Sequence, residues 1–252
     1  MIINAIKIIF LLGFLVFIHE GGHFIAAKIS KVNVEEFSIG FGPVIFSKTK
    51  NNTLYRIGCI PFGGYVKMTG EDKKSDLEGA FNKASLGKRI FIVSAGGLVN
   101  IIFALVVFFV LSFFYYEILD YSIFERLNFA YRNTSGFAFS MVETLKMLFT
   151  GQIGLDQMTG PVGISEIVIK TNGFYNFIHL LCLVSLSLGV TNLLPFPALD
   201  GGRIVLLLIE GIRGKALEEE LELKIQSMGF LILIIFAVFV TYKDILRAFV
   251  GG

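Results

Sequence analysis

The chain contains no tryptophan, few charged residues and only two cysteines. Charged residues make up 17% of its 252 positions, whereas a soluble domain keeps about 25%. Hydrophobic residues make up 54%, and many of them stand in long uncharged runs. This composition excludes an ordinary soluble domain and indicates a membrane protein. Because tryptophan is absent, any aromatic belt at the membrane interface depends on the eight tyrosines.

The two cysteines and the small net charge exclude further classes of protein. Cys59 falls in a predicted loop and Cys182 in a hydrophobic segment, so neither position suggests a disulfide, and their spacing is not that of a metal site. The formal net charge is +2, which gives no indication of a nucleic-acid partner.

Four apolar segments are long enough to cross about 30 Å of hydrocarbon, which takes roughly 20 residues of helix. The predicted spans are residues 2–29, 90–116, 174–194 and 225–240. The first segment has one early lysine and no small-residue cleavage site, so we interpret it as a permanent span. The predicted fold class is an all-α polytopic membrane protein that forms one domain over residues 1–252.

Basic residues are distributed unevenly between the loops. Eleven of the 22 lysines and arginines fall between residues 28 and 89, four between 117 and 173, and four between 195 and 224. Cytoplasmic loops carry the excess of basic residues. We therefore expect a multi-pass protein of the cell inner membrane, with both termini outside and with the first and third loops in the cytoplasm.

Two of the loops are predicted to have structure of their own. Residues 32–68 are rich in β-branched and aromatic residues, and residues 50–53 (KNNT) predict a hairpin turn. The resulting small apolar sheet is expected to lie against the membrane or dip into it, in contact with protein or water. Residues 135–149 predict an amphipathic helix on the outer membrane surface.

The sequence His19-Glu20-Gly21-Gly22-His23 lies near the end of the first predicted span. Positions i and i+4 share one face of a helix, so both histidines can bind a single zinc ion. Glu20 is then placed to act as the general base on a zinc-bound water. The alternative is a pair of interfacial histidines, but two histidines and a glutamate are costly at this depth unless they are coordinated or hydrated.

A catalytic zinc needs a third protein ligand, and the sequence offers two candidates. His179 falls near the outer end of the third span, on the wrong side of the membrane. Asp200 follows that span on the same side as His23, after Pro195 and Pro197, which break the helix. Alone, this stretch could be only a helix break and turn, but the need for an acidic ligand favours Asp200.

Five motifs in the same order give the chain a family resemblance. They are residues 19–23 (HEGGH), 40–43 (GFGP), 61–68 (PFGGYVKM), 159–164 (TGPVGI) and 192–203 (NLLPFPALDGGR). Together they resemble the site-2 proteases, and more closely the bacterial RseP-type regulators of σ-factor signalling. The resemblance covers nearly the whole chain.

The resemblance implies one zinc ion held by His19, His23 and Asp200, with Glu20 as the general base. It also implies that an edge of the membrane-dipping sheet and the asparagine of the last motif hold the substrate. The residues in those positions are Gly63, Gly64, Tyr65, Val66 and Asn192. The implied substrates are transmembrane proteins or peptides, such as anti-σ factors and leftover signal peptides, within the membrane lipid.

The chain departs from the family pattern at three places. The link between the second span and the amphipathic helix, residues 117–135, is too short for the PDZ domain that RseP-type relatives usually carry. Gly21 stands where relatives commonly have a bulky apolar residue, and Gly97 stands where they tend to have proline. Two adjacent glycines cost a helix roughly 1–2 kcal/mol.

Two other functions are compatible with parts of this pattern. One is a membrane metallopeptidase that acts on soluble tails, which the depth of the cleaved bond distinguishes from an intramembrane protease. The other is a catalytically silent zinc-binding scaffold or transporter. A transporter predicts more polar residues within the spans than the sequence has, and a silent scaffold predicts loss of Glu20 or of a ligand.

Overall fold

The structure is a computed structural model that describes residues 2–115, 120–152 and 159–250. Ten elements follow one another along the described residues. They are α1 (Ile2–Ile29), β1 (Val34–Lys50), β2 (Thr53–Met68), a 3₁₀ turn (Phe81–Lys83), α2 (Leu86–Phe113), α3 (Ile123–Phe149), α4 (Pro161–Lys170), α5 (Phe174–Asn192), α6 (Asp200–Arg213) and α7 (Glu219–Val250).

Within the described ranges, four helices are long and apolar enough to cross a membrane: α1, α2, α5 and α7. This confirms the predicted fold class, a helical multi-pass membrane protein with a small sheet. The first predicted span has the bounds of α1. The second helix begins at Leu86 and ends at Phe113, and the predicted end at Tyr116 lies outside the described residues. The last helix extends beyond the predicted span at both ends, and at its start it takes in the acidic residues Glu219, Glu220 and Glu222.

The sheet consists of two long, bent antiparallel strands, β1 and β2. Residues 34–39 of β1 pair with residues 64–68 of β2 and also with residues 54–57. Residues 44–50 pair with residues 53–58 across the predicted turn, where Asn51 and Asn52 have positive φ angles. In the described part of the chain, residues 64–68 pair on one side only and therefore form an edge of the sheet.

Two parts of β1, residues 34–39 and residues 44–50, both pair with residues 54–57 of β2. They can do so because β1 bends sharply after residue 39. Gly40 has a φ of +80°, a conformation that is strained for residues with a side chain. The GFGP motif therefore marks the bend that allows both parts of β1 to pair with β2 in the same sheet. Beyond the bend the sheet exposes large apolar side chains: Phe41, Val44, Ile45, Phe46 and Ile60. Such a surface is what the predicted contact with membrane requires.

Contacts within the chain define two units. The first comprises Met1–Asn100 with Leu188–Leu231, and the second comprises Ile101–Ser187 with Ile232–Gly252. In the first unit, α1, β1, β2 and the start of α2 enclose a small core that includes Ala26, Val34, Met68 and Ile92. The metal-binding candidates are held on this core.

In the second unit, α3 begins at Ile123, well before the predicted start at residue 135. The reason is a capping box, in which the Ser122 side chain accepts from the Glu125 N–H and the Glu125 carboxylate accepts from the Ser122 N–H. The TGPVGI motif forms the start of α4, where the buried Asp244 carboxylate accepts the N–H groups of Gly160 and Gly163 at 3.0 and 2.8 Å. This motif therefore fixes the start of a helix.

The two adjacent glycines of α1 lie in different environments. A Cβ atom at Gly22 would lie 2.6 Å from the Ala95 carbonyl oxygen, so Gly22 is needed where α1 crosses α2. A Cβ atom at Gly21 would meet nothing within 4 Å, so the helix accepts a larger residue there.

We predict opposite effects of alanine at these two positions. Gly21→Ala is expected to raise the free energy of unfolding by about 0.5–1 kcal/mol, because alanine loses less conformational entropy in a helix. Gly22→Ala is expected to lower it by about 1–3 kcal/mol, because α1 and α2 must separate. Unfolding of the two variants in the same detergent measures both values, and equal changes would contradict the described crossing.

Candidate metal centre

The two histidines of the HEGGH motif project from one face of α1. Their ring centroids are 4.9 Å apart and their rings lie at 81° to each other. The two Nε2 atoms are 3.3 Å apart. An unbroken helix through Gly21 and Gly22 is what gives the i and i+4 positions this geometry.

Asp200 reaches the histidines because the chain turns sharply between α5 and α6. Pro195 and Pro197 lie in this turn, and Ala198 has a φ of +73°. Asp200 is the first residue of α6, and a Cβ atom at the neighbouring Gly202 would lie 2.2 Å from the Phe196 carbonyl oxygen. The glycines of the LDGGR segment therefore allow the first turn of α6 to pack directly on the backbone of the preceding turn.

The three side chains bring three ligand atoms together. Asp200 Oδ2 lies 3.3 Å from His19 Nε2 and 3.4 Å from His23 Nε2. Asp200 Oδ2 is buried and has no hydrogen-bond partner in the described part of the chain. Zinc bonds of 2.0–2.1 Å at tetrahedral angles put neighbouring ligand atoms about 3.3–3.4 Å apart. The three atoms therefore fit three corners of a zinc tetrahedron and leave the fourth corner for another ligand.

The orientation of His23 is fixed by a hydrogen bond to the next helix. His23 Nδ1 lies 2.8 Å from the Ile92 carbonyl oxygen of α2. Because a carbonyl oxygen only accepts, Nδ1 carries the proton and Nε2 offers its lone pair to a metal. The ring lies directly over Gly96, where a Cβ atom would be 2.2 Å from His23 Nε2.

The metal-binding candidates line a cavity of about 190 Å³. Its walls also include Glu20 of α1, the Gly64, Tyr65 and Val66 edge of β2, and Met68. The structure thus brings together seven of the predicted site residues: His19, Glu20, His23, Gly64, Tyr65, Val66 and Asp200. Gly63 adjoins this edge without lining the cavity, and Asn192, half-buried at the end of α5, does not line it either.

A polar network holds the edge strand beside the cavity. The Tyr65 hydroxyl donates to Glu36 Oε1 at 2.6 Å. Arg56 lies 3.3 Å from the same oxygen and donates to the Gly42 carbonyl oxygen at 2.7 Å. Burial and the adjacent Glu36 carboxylate raise the pKa of the Tyr65 hydroxyl, which therefore remains a donor. The network ties the edge of β2 to the bend in β1.

Glu71 and Arg203 also line the cavity, although the sequence patterns did not predict them as site residues. Arg203 Nη1 lies 2.5 Å from Glu71 Oε1. Burial raises the pKa of the Glu71 carboxyl, and the Arg203 guanidinium acts in the opposite direction. Arg203 is the last residue of the NLLPFPALDGGR motif, and Glu71 follows the PFGGYVKM motif by three residues. No pattern in the sequence indicates that the side chains of Glu71 and Arg203 meet.

His179, the other candidate for a third ligand, lies in the second unit among aromatic rings. Its ring centroid is 5.4 Å from Phe108 and 6.3 Å from Phe137. In the described part of the chain, the one group of three or more potential ligands within reach of a common ion is His19, His23 and Asp200. His179 therefore has the surroundings of a packing residue.

Four apolar helices and a His–His–Asp cluster in a small cavity are features of membrane-embedded zinc peptidases. Residues 7–236 match the model of peptidase family M50, and the chain belongs to that family. It is therefore a multi-pass zinc metalloprotease of the site-2 type.

Three relatives illustrate the similarity. A protein of Clostridium acetobutylicum named as a candidate zinc metalloprotease is 29% identical, over 96% of this chain and 97% of the relative. A similarly named protein of Fusobacterium nucleatum is 25% identical, over 95% and 97%. The zinc metalloprotease RasP of Bacillus licheniformis is 24% identical, over 98% and 99%. Their alignments span 329, 331 and 416 positions, so the relatives carry segments with no counterpart in this chain.

We predict that Gly96→Ala weakens zinc binding. The added methyl group displaces the His23 ring, and disturbing the support of a ligand typically raises a metal Kd about 10- to 100-fold. Competition with a chelator of known affinity measures this Kd. Gly87→Ala is the control on the same helix, since a Cβ atom at Gly87 meets nothing within 4 Å. A Kd for Gly96→Ala equal to that of the control would show that the ring does not lie over Gly96.

Proposed function

We propose that this protein is an intramembrane endopeptidase that cleaves the transmembrane segments of single-span or signal-peptide-like substrates. His19, His23 and Asp200 hold one zinc ion, and Glu20 is the general base. The observation that carries the proposal is the spacing of the three ligand atoms, 3.3–3.4 Å, two of which belong to α1, a helix long enough to span the membrane.

The depth of the site supports cleavage within the membrane. His19 lies roughly 26 Å from the start of α1, given a rise of 1.5 Å per residue. That position is near one end of a hydrocarbon layer about 30 Å thick but still inside it. A substrate bond that reaches this cavity is therefore close to one membrane surface.

Glu20 is placed to move the protons of the reaction. A zinc ion, when bound, polarises the scissile carbonyl and lowers the pKa of the attacking water. The Glu20 carboxylate lines the same cavity as the three ligands. It accepts a proton from the water and then donates it to the nitrogen of the leaving amine. Glu20 therefore acts on both the attacking water and the leaving amine.

The edge of β2 is the proposed binding surface for the substrate backbone. A peptide bond inside a helix is shielded by neighbouring turns, so a transmembrane substrate must unwind before it is cut. Its freed N–H and C=O groups need partners inside the membrane. Within the described residues, the segment containing Gly63, Gly64, Tyr65 and Val66 offers a strand edge with no partner on one side. Such an edge binds extended peptides by β-augmentation. Asn192 is the proposed second contact, by its place in the NLLPFPALDGGR motif.

We also propose the orientation that the basic residues predict. Both termini lie on the outer side of the cell inner membrane, and the site opens near its cytoplasmic surface. The chain acts as one protease domain without a PDZ domain, so it does not select substrates by size in the way that such a domain would.

Glu20→Gln is expected to abolish cleavage without removing the metal. The amide keeps the shape of the side chain but cannot accept the proton, and loss of a general base typically costs about 10²–10⁴-fold in rate. Cleavage of a tagged single-span substrate and zinc content are measured in parallel. A variant that holds zinc and still cuts at the wild-type rate would refute the role of Glu20.

Unwinding of the substrate is expected to limit the rate. A glycine pair replacing two leucines next to the cut site weakens the substrate helix by roughly 2 kcal/mol. We expect this substrate to be cut faster, and the same pair placed one membrane leaflet away to have little effect. Mass spectrometry of the products locates the cut. Equal rates for the two substrates, with cleavage in the soluble tail, would instead support a metallopeptidase of soluble tails.

A further inference from the structure

An ion pair joins the helix that carries Asp200 to the end of the edge strand. Arg203 lies one turn after Asp200 on α6, and its Nη1 atom is 2.5 Å from Glu71 Oε1. Its Nη2 atom lies 3.4 Å from the Glu71 carbonyl oxygen, and its guanidinium carbon lies 5.4 Å from the centroid of the Phe81 ring. Contacts with Glu71 and with the Phe81 ring therefore fix the position of the Arg203 guanidinium.

Glu71 is in turn bound to the last residue of β2. Its second carboxylate oxygen accepts the Met68 N–H at 3.1 Å, and its own N–H donates to the Met68 carbonyl oxygen at 3.3 Å. Because Met68 closes the strand that contains Gly64, Tyr65 and Val66, Glu71 fixes the end of that strand. A continuous path of covalent and hydrogen bonds therefore leads from Asp200 to the edge strand.

The position of this pair in the cavity wall sets it apart from a second ion pair on α6. Glu71 and Arg203 both line the metal cavity. Arg89 of α2 and Glu210 of α6 also form a partly buried, bidentate ion pair. Its Nη1–Oε2 and Nη2–Oε1 distances are 2.9 and 2.5 Å. Arg89 and Glu210 do not line the metal cavity but a neighbouring cavity of about 440 Å³, whose wall also includes Glu71 and Arg203. The second pair therefore provides a matched control.

We propose that Arg203 and Glu71 are positioning residues that hold the substrate-binding edge of β2 in register with the metal ligand Asp200. This inference rests on the proposed function of that edge. A scissile carbonyl must lie within a few tenths of an ångström of its productive position, and a displacement of about 1 Å can cost on the order of a hundredfold in rate. The ion pair sets this distance across the cavity, and neither residue takes part in the chemical step.

The test uses Glu71→Gln in the full-length protein with the tagged single-span substrate. Glutamine keeps the size of the side chain and removes the charge that holds Arg203. We expect zinc content and KM to stay near the wild-type values, since the ligands and the strand edge are intact. We expect kcat to fall about tenfold to a hundredfold. Cuts are also expected to spread to neighbouring peptide bonds, which mass spectrometry resolves.

Glu210→Gln is the control, because it removes an ion pair of similar burial from the same helix. It is expected to lower thermal stability but to keep kcat per zinc-loaded molecule and a single cut site. Arg203→Lys tests the pair from its other side if Glu71→Gln does not fold. Lysine keeps the charge but cannot make both contacts, so we expect an intermediate kcat.

The possible results are distinct. If wild type does not cut the substrate, the proposed function fails before the variants are compared. If wild type cuts and Glu71→Gln or Arg203→Lys holds zinc and cuts the same bond at the same rate, the positioning role is wrong. If Glu71→Gln and Glu210→Gln lose activity equally and only in proportion to unfolded protein, the Glu71 pair is merely structural and the proposal is also wrong.

Discussion

The hydrogen bond from His23 to the Ile92 carbonyl oxygen is the interaction on which the rest of the site depends. It is 2.8 Å long and forms only because α1 and α2 approach each other closely at Gly22 and Gly96. It aims the Nε2 lone pair of His23 at the position where His19 and Asp200 also converge. A larger residue at the crossing would move the ring, and the ligand triangle would be lost although every ligand remained in the sequence.

The same constraint explains how polar ligands are kept inside a membrane-spanning helix. Two imidazoles and a carboxylate are costly within a membrane unless they pair or bind a metal. A bound zinc ion offsets this cost, because metal binding adds directly to the stability of the fold that forms the site. The close approach of α2 at Gly96 covers the His23 ring on one side. The cavity keeps its other side open to Glu20 and to the edge of β2.

Much of this arrangement could be predicted from the sequence because it depends on local patterns. Continuous apolar runs predict the four spans, an i and i+4 pair predicts the shared face of His19 and His23, and KNNT predicts the turn between β1 and β2. The helix break at Pro195 and Pro197 favours Asp200 as the third candidate. Each of these inferences needs only the geometry of one element or one turn.

The remaining features could not be predicted because they depend on contacts between distant segments. Arg203 and Glu71 are far apart in the sequence, and only the folded chain brings them together. The twofold pairing of β1 follows from the bend at Gly40, whose direction no alternating pattern specifies. The different roles of Gly21 and Gly22 likewise depend on which face of α1 meets α2.

X-ray absorption at the zinc edge of the purified protein tests the central claim most directly, because it reports the atoms bound to the metal. The account predicts two imidazole nitrogens and oxygen donors at about 2.0–2.2 Å. Sulfur scattering at about 2.3 Å would contradict it, since the metal would then be bound by Cys59 or Cys182. A first shell without the outer-ring scattering of two histidines would contradict it as well.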